Sequence, residues 1–576
     1  MATQPRLTEP DAMDATSDAT REEYRERLRQ YLHDPAFRAT EGFPLGEDDA
    51  ILAMSDPPFY TACPNPFLEA FVQRHGTPYD PEEPYHREPF AVDVSVGKTD
   101  ALYRAHSYHT KVPHLAIVPS ILHYTKPGDL VLDGFCGSGM TGVAAQWCGS
   151  APADYQRTLE ATFRAEGRAT PIWGARRAIL NDLSPAATFI AANYTIPFDV
   201  DAFASAARAL LDEVEEALGW MYETRHSDGR IGRIEYTVWS QVFACPECGG
   251  DVVFLDEALD QETKRVRESF PCPGCGAALT KQRMERQYEA TFDAPLGESI
   301  RTPKRKPVLI RYQVGTVKFE KMPDDHDLAI LDRISGVPLP PQLPTVPLPY
   351  MHMTHERARM DKVGITHVHH FFLPRAAQAL GLLWQKADAH PEPRIRHALL
   401  FFVEQAIWTA SVLNRYRPTG FSQVNQYMTG VYYVAAQHAE SAPSYILNGK
   451  LERLERTFGT APADKYHVAV STGTCAALSI PDDSMDYIFT DPPFGENIYY
   501  ADLNFLVESW HGVVTDAEPE AIVDRAKHKG LPEYQALMRR CFTEYYRVLK
   551  PGRWMTVVFH NSRNRACSIS SDGQTG

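Results

Sequence analysis

The sequence predicts an α/β protein in which one Rossmann-like parallel sheet is interrupted by a large insertion. Three observations lead there. A strand, a glycine loop and a helix follow one another at Val131–Gly142, the order that opens a nucleotide-binding sheet. Strand-and-turn language returns only at Tyr466, running through SMDYIFTDPPF to VLKPGRWMTVVFHN. Between the two lie paired cysteines and long helical patterns, which break the strand–helix alternation.

Each segment carries its own signal. Residues 1–50 are polar and acidic and read as a disordered tail with one helix, Arg21–Leu32. Residues 51–105, rich in proline and aromatics, read as an irregular lead-in. Residues 106–200 hold the first part of the sheet: the helix LAIVPSILHY, the strand LVLDGF and a second strand, RRAILNDLS. Residues 201–460 form the insertion, with the cysteine pairs at 240–280 and helices such as RAAQALGLLWQKA and RHALLFFVEQAIWTASVL. Residues 461–562 complete the sheet, and 563–576 are a polar tail.

Composition bounds the class. Hydrophobic residues at 44% and charged residues at 23% describe an ordinary globular chain. No apolar run approaches the roughly 20 residues that span a bilayer, and the first residues lack a signal peptide's basic start and apolar core. A cytoplasmic protein is expected. The net charge of −16 argues against wrapping nucleic acid with the whole surface. It leaves room for a local basic track, since phosphate contacts need only a few cations on one face.

Two segments carry chemistry. In VLDGFCGSGMTG, Asp133 closes a strand, and Phe135, Gly137, Gly139 and Thr141 follow; the glycines permit tight turns and close ligand approach. The next acidic strand end, Asp182, lies 43 residues after Gly139, too far for a simple dinucleotide fold. It is the candidate for ribose hydroxyls, or else caps the next helix. In YIFTDPPF, a strand ends in Asp491-Pro492-Pro493-Phe494. Two prolines can neither extend the strand nor enter a helix, so the backbone is rigid there. A second copy, Asp56-Pro57-Pro58-Phe59, has no preceding strand and reads as a structural loop.

Cys245-x-x-Cys248 and Cys272-x-x-Cys275, 23 residues apart and each followed by glycine, match a structural zinc ribbon. An iron–sulfur or redox role is the minor alternative. Lys281, Arg283, Arg286, Arg301, Lys304, Arg305, Lys306 and Arg311 make the clearest basic stretch, a candidate phosphate track. Asn414, Arg415, Tyr416 and Arg417, with Gln423, Asn425, Gln426 and Tyr427, combine base-edge donors with aromatics. His367, His369 and His370 read as a turn rather than a metal site.

The loop from Asp133 to Thr141 resembles motif I of amino-methyltransferases, with Gly134 in the usual proline position and Met140 before Thr141. The upstream Thr110, Lys111 and Pro113 are similar to their motif X, and Asp491–Phe494 resembles their motif IV. With the ribbon between, the chain resembles the bacterial adenine-specific DNA methylases that contain a Zn ribbon. The resemblance implies a class I methyltransferase sheet interrupted by a zinc-ribbon and helical insertion. It further implies S-adenosylmethionine, a DNA substrate and direct transfer to a flipped base. On it, Thr110, Lys111, Asp133, Phe135, Gly137, Gly139, Thr141 and Asp182 would hold the cofactor. Asp491 and the Pro492 carbonyl would accept the base amine, and Phe494 would stack on the base. Restriction or phage-defence partners belong to the same implication. Cytosine N4, guanine N2 of RNA, and a non-catalytic DNA-binding subunit are the alternatives. A methyltransferase sheet adds two strands after the segment Val548–Asn561, and only polar residues from Ser562 to Gly576 remain. The chain therefore reads as truncated, unless residues 50–105 supply edge strands.

Overall fold

The computed structural model describes residues 18–260, 262–419, 421–422, 432–459 and 467–559. One six-stranded sheet organises them: β1 (Tyr60–Thr61), β2 (Leu130–Asp133), β3 (Arg177–Asp182), β4 (Val468–Thr472), β5 (Met485–Thr490) and β6 (Leu549–Val557). The spatial order is β1-β4-β3-β2-β5-β6, and every neighbouring pair is parallel. Strands β2, β4 and β5 are buried at every residue. That explains why their sequences are continuous apolar runs without alternation. The helices used below are α1 (His114–Tyr124), α2 (Met140–Trp147), α3 (Pro185–Thr195), α4 (Pro443–Phe458), α5 (Tyr500–His511) and α6 (Leu531–Val548).

From β2 the chain builds outward through β3 to β4, then returns to the other side for β5 and β6. The reversal between β2 and β5 leaves a crevice at the carboxyl ends of the strands, where open α/β sheets take their ligands. At the opposite end, Asp486 on β5 locks three strands together. Its Oδ2 accepts the Leu130 amide of β2 at 2.9 Å, and its Oδ1 accepts Lys550 Nζ of β6 at 2.5 Å. Such a buried pair is tolerated because both carboxylate oxygens are satisfied.

The amino-terminal region differs from the expected tail and lead-in. Residues Asp18–Leu32 form one helix and Asp48–Met54 another, and β1 joins the sheet beside β4. Fully buried Asn65 fastens this join: its side-chain amide donates to the carbonyls of Pro58 and Val470, and its backbone amide to Ser471 Oγ. A two-residue strand has no periodicity, so no sequence pattern announces it. Residues 76–113 carry no helix or strand. Residues 1–17 and 560–576, including the expected polar tail, lie outside the described residues. Among those described, β1 and β6 are the sheet's edges.

The insertion leaves after α3 and returns at β4. Its centre is the 14-residue strand Ile231–Ala244, paired antiparallel with Arg305–Val314 and with Gln437–Ser441. Helices Pro374–Asp388 and Pro393–Val403 pack on each other and toward the sheet domain. Buried Arg375 meets Glu440 of this second sheet at 2.5 Å. No described helix is long and apolar enough to cross a membrane.

Asn65→Ala strips buried backbone carbonyls of their donor. It should cost about 2–3 kcal/mol in urea unfolding; an unchanged midpoint would mean that β1 is not integral to the sheet.

Candidate active site

The glycine loop between β2 and α2 is shaped by crowding. Gly139 has φ +80° at the helix start, and a Cβ there would fall 2.7 Å from Ala191 Cβ on α3. Only glycine fits both constraints. Gly137, at φ +48°, sits under the Tyr108 ring and donates its amide to Asp182 Oδ2 at 2.9 Å. At Gly134, a Cβ would lie 2.5 Å from both Cys475 Sγ and Tyr545 Oη. The departure from proline at this position thus has a steric reason. Asp133 braces the loop internally: Oδ2 accepts Thr141 Oγ1 at 2.6 Å and Oδ1 accepts the Phe135 amide at 3.2 Å.

A cavity lies over this loop, bordered by Asp133, Gly137, Asp182, Ser184, Asp491 and Tyr500 among others. Three carboxylates from three adjacent strands converge on it. Burial pushes Asp133 up to about 7, and Asp182 and Asp491 each to about 6. Asp182 is held by the amides of Gly137 and Ser184. Asp491, ending β5, is not held: its Oδ1 is buried with no hydrogen-bond partner. The Pro493 carbonyl accepts Tyr534 Oη at 2.8 Å, whereas no described residue donates to the Pro492 carbonyl. Phe494 stands outside the cavity wall, edge-on to half-exposed Phe559 with ring centres 5.8 Å apart.

The segment before α1 reaches the same cavity in part. Thr110 Oγ1 is 2.6 Å from Tyr500 Oη, and Tyr500 stacks on Tyr108 at 6.2 Å. Lys111 borders the cavity, but its ammonium donates to the His106 carbonyl and lies over the Tyr103 ring. Its charge is therefore turned inward, and burial lowers it to about 7. Sequence reasoning missed Tyr108, Tyr500 and the buried Ser184–Glu508–Asn504 network behind them. None stands in a recognisable spacing; Tyr500 could have been sought on the helix that follows the Asp-Pro-Pro-Phe turn.

Far from this cavity, the four paired cysteines converge. Cys245 Sγ lies 3.8 Å from Cys275 Sγ, and Cys248 Sγ 3.8 Å from Cys272 Sγ. All four sulfurs are within 4.8 Å of one another. A tetrahedral site with bonds of about 2.3 Å has edges of roughly 3.8 Å, so the thiols are spaced to share one ion. The two knuckles are built alike. The amides of Gly249 and Gly276 donate back to the carbonyls of Cys245 and Cys272, and both glycines adopt positive φ.

The basic stretch does not form one free track. Lys304 pairs with Asp251, Arg283 with Glu247 and Arg311 with Glu320. Arg301 lies over the Tyr288 ring at 4.0 Å. Arg305 has its Nε and Nη2 buried without partners, while Lys306, Arg415 and Arg417 are exposed. Buried Asn414 donates to the Ala439 carbonyl, a structural contact. Gln423, Asn425, Gln426 and Tyr427 lie outside the described residues. His369 and His370 lie in a turn, and both reach Asp293, at 2.9 and 2.7 Å, three side chains close enough to share a metal ion. The Thr366 amide donates to His370 Nδ1, so Nε2 carries the proton toward Asp293. That clamp fixes the hairpin Tyr288–Pro303 to the turn.

Asp491-Pro492-Pro493-Phe494 follows β5, whereas Asp56-Pro57-Pro58-Phe59 precedes β1. The second copy thus lies at the amino ends of the strands, across the sheet from the crevice. Residues 78–150 match the family model of the N6/N4 methyltransferases, described as DNA methylase. This stretch contains Thr110, β2 and the glycine loop, and the match supports the N-4/N-6 methyltransferase family. No curated protein and no solved structure matches the chain.

Metal analysis of the purified protein should find one zinc ion per chain, retained on dialysis without chelator. Cys272→Ser should lower that content and the stability of the insertion. Protein that is well folded and metal-free would remove the ribbon.

Proposed function

We propose that this chain, with its DNA-methylase segment, transfers a methyl group from S-adenosylmethionine to an exocyclic amine of DNA, most specifically adenine N6. One observation carries the reading: a strand-end carboxylate, Asp491, is buried beside the glycine loop with one oxygen unpartnered. An unmet buried acceptor is costly unless a donor arrives, and a base amine is such a donor. The Pro492 carbonyl stands next in the chain as a second acceptor.

The residues present fit the proposed cofactor. Three buried carboxylates in one crevice suit a ligand that brings positive charge. The backbone from Phe135 to Gly139 would lie along the cofactor, with Asp182 beside the ribose. Asp133 and Thr141 would act through the loop they brace, and Thr110 through Tyr500. When bound, S-adenosylmethionine supplies a methyl group on a cationic sulfur. Asp491 then accepts the amine proton's hydrogen bond, orients the nitrogen lone pair and stabilises positive charge on the nitrogen as the bond forms. Phe494, standing with Phe559 outside the cavity wall, offers an aromatic face to a base drawn out of its stack. Zinc in the cysteine cluster would be structural, because four protein ligands leave no open position. The exposed Lys306, Arg415 and Arg417 remain the candidate phosphate contacts, with any partner in a defence system a further step from the same reading.

Incubation of duplex DNA with labelled cofactor, followed by nucleoside mass spectrometry, should yield N6-methyladenine. N4-methylcytosine, or N2-methylguanosine from tRNA only, would reassign the substrate, and no methylated nucleoside from either would refute methyl transfer.

Asp491→Ala should lower kcat by at least ~10²-fold while cofactor affinity stays within about three-fold of the parent. Because Asp491 must be ionised to stabilise that charge, kcat/KM should fall as pH drops through about 6. The stability effect has the opposite sense. Burial penalises the charged form, so the cost is present above pH 6 and vanishes below the unfolded pKa of about 4. Asp491→Asn should therefore stabilise the protein by on the order of 1–3 kcal/mol at pH 8 and by nothing below pH 4.

A further inference from the structure

A second cavity, of about 470 Å³, adjoins the first, with Tyr108 forming part of both walls. It lies where α3, α4 and α5 approach one another. Its wall gathers unpartnered polar groups. Gln405 Oε1 is a buried acceptor without a donor, and Glu404 presents a buried carboxylate beside it. His106 Nε2 lies 3.0 Å from Glu404 Oε1, within ion-pair distance. The other ring nitrogen of His106 donates to the Ser107 carbonyl at 2.8 Å. Lys450 Nζ makes no hydrogen bond or ion pair with any described residue, and burial lowers it to about 8. Such groups are costly when left unmet, and native proteins rarely collect them in one place.

The cavity is polarised from end to end. Glu404 and Gln405 present acceptors from the helix junction, and the indole of Trp408 lies beside them. Across the cavity, Gly449, Lys450 and Arg453 share one face of α4. A Cβ added to Gly449 would meet nothing within 4 Å, so this mid-helix glycine leaves the space open. The volume falls in the range of small-ligand pockets.

We propose that this cavity binds a nucleotide, its base amine toward Glu404 and Gln405 and its phosphate toward Lys450 and Arg453. The contacts on Tyr108 give the site a route to the first cavity. Asn504 Nδ2 donates to Tyr108 Oη at 3.2 Å and to Ser184 Oγ at 2.8 Å, and the Tyr108 ring covers Gly137. A nucleotide seated here is felt at the glycine loop. The cavity's chemistry does not require methyl transfer, and the nucleotide is either free or one unit of a nucleic-acid strand.

Calorimetry on the full chain, saturated with S-adenosylhomocysteine, tests this with adenosine 5′-monophosphate in one arm and a duplex oligonucleotide in the other. One monophosphate site per chain, weakened at least ten-fold by Gly449→Leu and by Lys450→Gln, is expected for a free nucleotide. No monophosphate binding, with oligonucleotide affinity weakened at least ten-fold by the same variants, identifies a unit of the strand. Leucine is a better helix former than glycine, so an unchanged or raised Tm shows that lost binding is not lost folding. Binding of both ligands unaffected by either variant, or no binding of either, overturns the proposal. Failure to take up S-adenosylhomocysteine counts against the methyltransferase reading alone, since the monophosphate titration is still read directly.

Discussion

Three strands end in carboxylates that share one buried crevice, and the local structure is arranged around that burden. Like charges out of water repel and are poorly solvated, and all three groups are pushed toward neutrality. Asp133 is soothed by a threonine hydroxyl and an amide, and Asp182 by two amides, one of them from the glycine loop. These bonds shape the loop; the loop's curvature in turn requires glycine at 139 against α3. Asp491 alone keeps an unused oxygen. Asp491 is thus distinguished from its two neighbours by the hydrogen bond it lacks.

The second cavity obeys the same logic on different elements. There the polar groups come from a short 3-10 turn and a helix rather than from strand ends, and both signs of charge are represented. Its wall is shared between the sheet domain and the insertion, through His106 on one side and Glu404 on the other. Glu404 also receives His511 at 2.9 Å. One carboxylate therefore joins the segment before α1, the insertion and the end of α5.

What the sequence revealed was what chemistry or backbone geometry fixes locally. The glycine loop, the rigid turn after Thr490 and the twin cysteine knuckles each need particular residues at particular offsets, and each stands where its pattern indicated. The expected helix at Arg21–Leu32 begins only three residues earlier. What stayed hidden depends on distant partners. Strand β1 is defined by its pairing with β4, some 400 residues away, and not by its own two residues. The basic run looked continuous because its partners, Asp251, Glu247 and Glu320, come from other strands and turns. Lys111 sits in a plausible motif, yet a carbonyl five residues upstream accepts its hydrogen bond. The histidines were legible as a turn, but Asp293, which they clamp, is 76 residues away from the first of them.

The way the insertion is fastened bears on how such a chain could be recombined. It is not a bead hung between β3 and β4. Arg394 donates to Asn193, Ile196 and Pro197 at the point of departure, and Arg396 and His397 both reach the Ala53 carbonyl. A graft cut at the obvious borders, after Thr195 and before Val468, would part Arg394 from Asn193, and Arg396 and His397 from Ala53. Transfer of the insertion to another chain would then succeed only if the amino-terminal helices travelled with it. Lineages built this way should diversify by substitution within the insertion rather than by swapping it whole.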